Sequence, residues 1–201
     1  MIRERRRLQT SSDIQWGPGL ALAASETDPA LHHSVQFYES ADFLVETIAD
    51  FVTGGLSAGE PVVAILRADR RDALSDRLRS KGVNVEHAVK TGQMTLLDSG
   101  ATLAEIMVGD MPDWDAFDAV VGGTLKKCAA RSLSGRVRAY GEMVDVLWTG
   151  GNAKAAIRLE ELWSDIQKVH SFSLLCAYVM GNSTRRTMSG GSAPHTVMFF
   201  P

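Results

Sequence analysis

Between Arg136 and Tyr178 the chain carries the pattern that most narrows its fold. RVRAYGEMVDVLW (Arg136 to Trp148) opens with a short β-favouring run that ends at Gly141-Glu142. GGN (Gly150 to Asn152) resets the backbone, a helical stretch containing LEELW (Leu159 to Trp163) follows, and FSLLCAYVM (Phe172 to Met180) closes as a continuous apolar run. Strand, helices, strand is a β-α-β unit, and a strand that is apolar at successive positions must be covered on both faces, as in a parallel sheet. PVVAIL (Pro61 to Leu66) has the same character and reads as a buried central strand. Ligands of such sheets meet the protein at the carboxyl ends of the strands, where Glu142 and Tyr178 are expected.

The remaining elements alternate in the same way. HSVQFYES (His33 to Ser40) predicts a strand, with Ser40 as the cap of a helix over 41–53 that Gly54-Gly55 would stop. Asp69 is expected to cap a helix with Leu74 and Leu78 inside and Gly82 at its end, and QMTLLD (Gln93 to Asp98) predicts a third strand. Thr102 and Glu105 have capping-box spacing. Asp113 begins a helix whose Phe117, Val121, Leu125 and Cys128 fall on one apolar stripe, and Asn152 caps one whose inner face runs from Ala156 to Val169 and His170. HTVMFFP (His195 to Pro201) would add an edge strand. Alternation throughout predicts an α/β three-layer sandwich with a mostly parallel central sheet.

Residues 1–31 lack sustained periodicity and read as a flexible N-terminal arm, leaving 32–201 as the folded unit. Four arginines among positions 3 to 7 give that arm a basic start, but the whole chain carries a formal charge of −3, so no nucleic-acid partner is expected. No apolar run approaches the roughly 18 residues that cross a bilayer, which predicts a cytoplasmic protein without a membrane partner. Cys128 and Cys176 lie in runs read as helix and strand, which favours free buried thiols over a disulfide.

No catalytic motif emerges, and the chain is not expected to be an enzyme. None of the five histidines pairs with another at metal-ligand spacing on a helix, and no serine stands in a Gly-x-Ser-x-Gly turn. His33, Cys176 and His195 would bind a metal only if the fold brought them together; no metal and no cofactor is expected. GGLSAGE (Gly54 to Glu60) is glycine-rich, yet it lacks the Gly-Lys-Ser/Thr ending and precedes a strand where a phosphate loop must follow one. Glu142, close in sequence to Arg138, would either bind a polar ligand or form a buried salt bridge with an arginine. Tyr38 and Tyr178 would offer hydroxyls to a pocket or to backbone carbonyls.

HSVQFYES, GLSAGEPVVAI, RAYGEMVDVLW, LEELW and FSLLCAY, in this order and spacing, resemble the MEDS domain, the sensory domain of methanogen and methylotroph regulators, over about residues 32–180, with His195 to Val197 similar to its closing motif. The family includes the sensor half of a dichloromethane-responsive transcriptional regulator. The resemblance implies a RecA/KaiC-like core that has lost its phosphate-binding loop, and sensing of a small molecule such as a hydrocarbon derivative. It implies output through a regulatory protein partner, whether kinase, anti-sigma factor or transcription factor, or through a homo-oligomer. His33, Tyr38, Glu142, Cys176, Tyr178 and His195 match its pattern and, with Arg138, form the expected ligand-binding set. Two other readings stay open: a ligand-free interaction module of degenerate ATPase shape, and a residual nucleotide binder.

Overall fold

The structure is a computed structural model that describes residues 33–179 and the backbone of 197–199; the arm at 1–31 and the segment 180–196 lie outside the described residues. β1 (His33–Tyr38) leads through a two-residue turn, Glu39-Ser40, into α1 (Ala41–Ser57), with the Ser40 hydroxyl accepting the Phe43 N–H. The helix does not stop at Gly54-Gly55 as expected. It runs on to Ser57, and the turn comes at Gly59, whose φ of 71° suits glycine. Gly54 and Gly55 serve packing instead: a Cβ at Gly55 would lie 2.7 Å from Cδ of Arg138 and 3.1 Å from Val62.

β2 (Val62–Leu66) is buried at every position, as its apolar run demands. α2 (Ala68–Ser80) follows at once, and its cap residue is Arg67, with Asp69 only in the first turn. No neighbouring side chain in sequence is needed there because the Arg67 N–H finds the Glu142 carboxylate, 2.8 Å away. α3 (Val85–Lys90) is a short helix that the sequence pattern did not announce; Asn84 caps it. β3 (Met94–Asp98) runs straight into α4 (Ser99–Ile106), capped by Asp98 rather than by Thr102. Thr102 instead bonds the Asp98 carbonyl.

A two-stranded ribbon, β4 (Met107–Val108) with β5 (Met111–Pro112), precedes α5 (Trp114–Phe117), which Asp113 caps as expected. The single helix expected from there to Cys128 is interrupted by a π-helical turn, Asp118–Gly122, before α6 (Gly123–Ala129). Phe117, Val121, Leu125 and Cys128 are nonetheless all core. β6 (Val137–Gly141), α7 (Met143–Thr149), α8 (Ala153–Gln167) and β7 (Phe172–Val179) complete the β-α-β unit, with Asn152 accepting the Ala155 N–H at the start of α8. α8 ends two residues short of Val169, which is exposed and not on the inner face. β8 (Val197–Phe199) pairs with β1.

The sheet order is β3-β2-β6-β7-β1-β8, with every pairing parallel except that of the β8 edge. One apolar cluster joins α5, α6, α7 and α8 to one face; a second joins α1, α2 and α3 to the other. The expected three-layer α/β sandwich with a mostly parallel sheet is therefore what the chain forms. The chain leaves β2 toward β3 and leaves β6 toward β7, in opposite directions, so the carboxyl ends of β2 and β6 flank a topological switch point.

Candidate functional site

Glu142 enters that switch point from the end of β6. Gly141 before it lets the strand approach α8, since a Cβ there would meet the Trp163 indole at 3.3 Å. Glu142 is completely buried. Its Oε1 accepts from Arg70 Nη1 and from the Tyr140 hydroxyl, both at 2.9 Å, and its Oε2 accepts the Arg67 N–H. Arg70 Nη2 donates to the Tyr38 hydroxyl at 2.9 Å; that hydroxyl donates to Asp145 Oδ2 at 3.0 Å, and Asp145 Oδ1 accepts the Val179 N–H at 2.9 Å. The network ties β1, α2, β6, α7 and β7 together at one end of the sheet.

Every carboxylate oxygen in this network has a donor. Burial pushes the Glu142 carboxyl upward, and its three donors offset this only in part. Burial opposes charge on Arg70, but Glu142 and Tyr38 outweigh it and hold the guanidinium pKa above its ordinary value. Burial, with Asp145 adding and Arg70 opposing, pushes Tyr38 up from 10.0 to about 12. Burial and then the Glu142 carboxylate raise Tyr140 strongly. A network of this kind, with every carboxylate oxygen engaged, holds elements in place rather than presenting Glu142 or Asp145 to a ligand.

A second polar cluster lies on the sheet face beneath α8. β1 and β7 are in register with Val35 opposite Cys176 and Phe37 opposite Tyr178, so alternation turns His33, Cys176 and Tyr178 toward that helix. α8 contributes Glu160. The Tyr178 hydroxyl donates to Glu160 Oε1 at 2.7 Å, and His33 Nε2 lies 3.2 Å from Glu160 Oε2. A His33 nitrogen, a Glu160 oxygen and the Cys176 sulfur lie within 4.8 Å of one another. Burial, then Glu160, raise both the Cys176 thiol and the Tyr178 hydroxyl. The Tyr178 ring stacks on Phe37 at 5.7 Å and meets the half-exposed Trp148 edge-on at 6.0 Å. An open groove of about 510 Å³ reaches this cluster, lined among others by His33, Ile157, Glu160, Ser164 and Lys168.

The expected ligand-binding set is thus divided. Tyr38 and Glu142 belong to the saturated network. His33, Cys176 and Tyr178 converge beneath α8. Arg138 is at the other end of β6, where Nε donates to Glu60 at 2.7 Å and Nη1 to the Phe51 carbonyl at 3.0 Å, so the arginine that pairs with Glu142 is Arg70. His195 lies outside the described residues. Sequence reasoning missed Arg70, Asp145 and Glu160. Arg70 stands four residues past the end of β2 and Asp145 three residues past Glu142, so a position near a strand end was an available signal for both. Nothing in LEELW sets Glu160 apart from its neighbour Glu161.

Among the described residues no helix is long and apolar enough to cross a membrane. The family model described as MEDS, the methanogen/methylotroph DcmR sensory domain, matches residues 32–196. No curated protein matches the chain. Among solved structures, a KaiC-like protein from Pyrococcus horikoshii OT3 is similar at 15% identity with a TM-score of 0.47, over 75% of this chain and 62% of that one.

Proposed function

The chain belongs to the MEDS family of sensory domains, and from that premise we propose that it senses a small molecule, by binding rather than catalysis, in the groove beside α8. One observation carries the reading: the groove is within the roughly 300–1,000 Å³ range of small-molecule pockets and ends on the buried His33 and the partly buried Glu160, backed by Tyr178. Ile157 adds an exposed apolar surface to its rim, which suits an organic ligand with one polar end, such as a hydrocarbon derivative.

Transmission requires an element that the ligand affects unequally in two states. A ligand that competes for Glu160 releases the Tyr178 hydroxyl, and the Tyr178 ring is packed against Trp148 on α7. The exposed side of α7 is then the surface on which a regulatory protein partner, such as a transcription factor, kinase or anti-sigma factor, reads the signal. The turn at 54–59 is a poor alternative, because Gly54 and Gly55 are helical and lie beneath Arg138.

Native mass spectrometry of the purified chain, before and after denaturation, tests for a retained small molecule. The ligand so identified is then titrated while tryptophan emission is followed. Binding is expected to change the emission of the wild type, to lose that change in Trp148→Phe, and to weaken at least tenfold in Ile157→Arg. A ligand that binds Ile157→Arg with undiminished affinity removes the groove from consideration. A defined oligomer with no ligand favours the interaction-module reading.

A further inference from the structure

We propose that His33, Glu160 and Cys176 form a binding site for a divalent transition-metal ion of the zinc type. The three donors come from three different elements, β1, α8 and β7, and their ligand atoms converge to within 4.8 Å. In a tetrahedral zinc site, bonds of about 2.0–2.3 Å put donors about 3.3–3.8 Å apart, so the cluster needs to close by only about 1 Å. The His33 to Glu160 separation, 3.2 Å, is already in place.

The donor set has the right chemistry. Imidazole nitrogen, thiolate and carboxylate select zinc-like ions over magnesium or calcium, which prefer oxygen alone. A neutral imidazole with one thiolate and one carboxylate also balances a double positive charge, which lets the ion remain in a buried place. The supporting contacts fit as well: Tyr178 donates to Glu160 Oε1 and so aims Oε2 at His33. The cations along the groove do not oppose an ion, because Arg158 is paired with Glu161 and Lys168 with Asp165. His33 and Glu160 line the groove while Cys176 lies behind them, so an ion has a way in and three protein ligands leave a fourth position facing the groove. The inference rests on the reading of the groove as a sensing site only for its use: a small molecule with a nitrogen, oxygen or sulfur donor would take that fourth position.

Cobalt(II) alone is the probe, added to the 201-residue chain with no organic ligand present. The expected result is one ion per chain with a thiolate-to-cobalt charge-transfer band. The band is expected to vanish in Cys176→Ala and persist in Cys128→Ala, the other buried thiol. Affinity is expected to fall at least tenfold in Glu160→Gln and about 10–100-fold in Tyr178→Phe, which removes only the orienting hydrogen bond. No thiolate band in a wild-type chain with native circular dichroism overturns the proposal, as does a band that survives Cys176→Ala. Should Cys176→Ala not fold, Glu160→Gln decides, and unchanged affinity there overturns it. A chain that retains an organic ligand but takes no cobalt defeats the metal site and leaves the sensing groove standing; a chain that takes cobalt but retains no organic ligand in native mass spectrometry upholds the metal site and counts against the sensing groove.

Discussion

Glu142 shows how much one residue can be asked to do. It caps α2 through the Arg67 N–H, neutralises Arg70 and holds the Tyr140 hydroxyl, all without contact with water. Removing it in Glu142→Ala leaves a largely buried guanidinium without its carboxylate, and the expected loss is about 2–4 kcal/mol in urea denaturation. The paired replacement Arg70→Met/Glu142→Met is expected to lose less than the single change, because no uncompensated charge remains. An equal or larger loss in the double variant would show that the ion pair itself stabilises the fold. The tyrosines supply the pH dependence. Tyr38 is pushed up to about 12, and Tyr140 and Tyr178, the other two of the chain's three, move the same way. In the unfolded chain a phenol ionises near 10, so between about 10 and 12 the folded state holds more protons than the unfolded one, and stability falls as pH rises through that window. A spectrophotometric titration is therefore expected to show no phenolate near pH 10 and a cooperative appearance only with unfolding. A separate ionisation step near 10 in a folded chain would contradict this.

At the scale of elements, α1 illustrates how packing overrides a local signal. Two adjacent glycines ordinarily end a helix, yet here they continue it because Arg138 crosses the helix surface above them on its way to Glu60 and the Phe51 carbonyl. Gly55→Ala would gain about 1 kcal/mol of helix propensity in isolation. In this fold its Cβ collides with the middle of an arginine held at both sides, and a net destabilisation of about 1–3 kcal/mol is expected by thermal denaturation. A more stable Gly55→Ala variant would mean that Arg138 yields without cost. The same logic explains α2, whose cap comes from the far side of the sheet and not from Asp69.

Across the whole molecule, the sheet has one edge closed by a short antiparallel strand. β8 covers the outer side of β1, pairing Ser34 with Phe199 and Gln36 with Val197. A chain ending at Thr196 lacks that cover, and its bare β1 edge is expected to promote concentration-dependent self-association in light scattering relative to the full chain. An unchanged mass at all concentrations would show that the edge needs no protection from β8. Because β1 also carries His33 and Tyr38, the truncation should disturb both polar clusters together.

The sequence by itself determined the layers. Apolar runs such as Val62–Leu66 and Phe172–Val179 can only be satisfied between two helical layers, and the helical stripe from Phe117 to Cys128 supplies one face of that cover despite its π turn. Tertiary structure alone decided which polar residues meet. Glu142, His33 and Cys176 stand out in the sequence as candidates, but their partners Arg70 and Glu160 look like ordinary charges where they stand. Periodicity reports which side of an element is buried, a local property of the backbone. Which buried groups face each other depends on strand order and register, and here the placement of β6 between β2 and β7, and of β7 between β6 and β1, produces one saturated network and one cluster open to a groove.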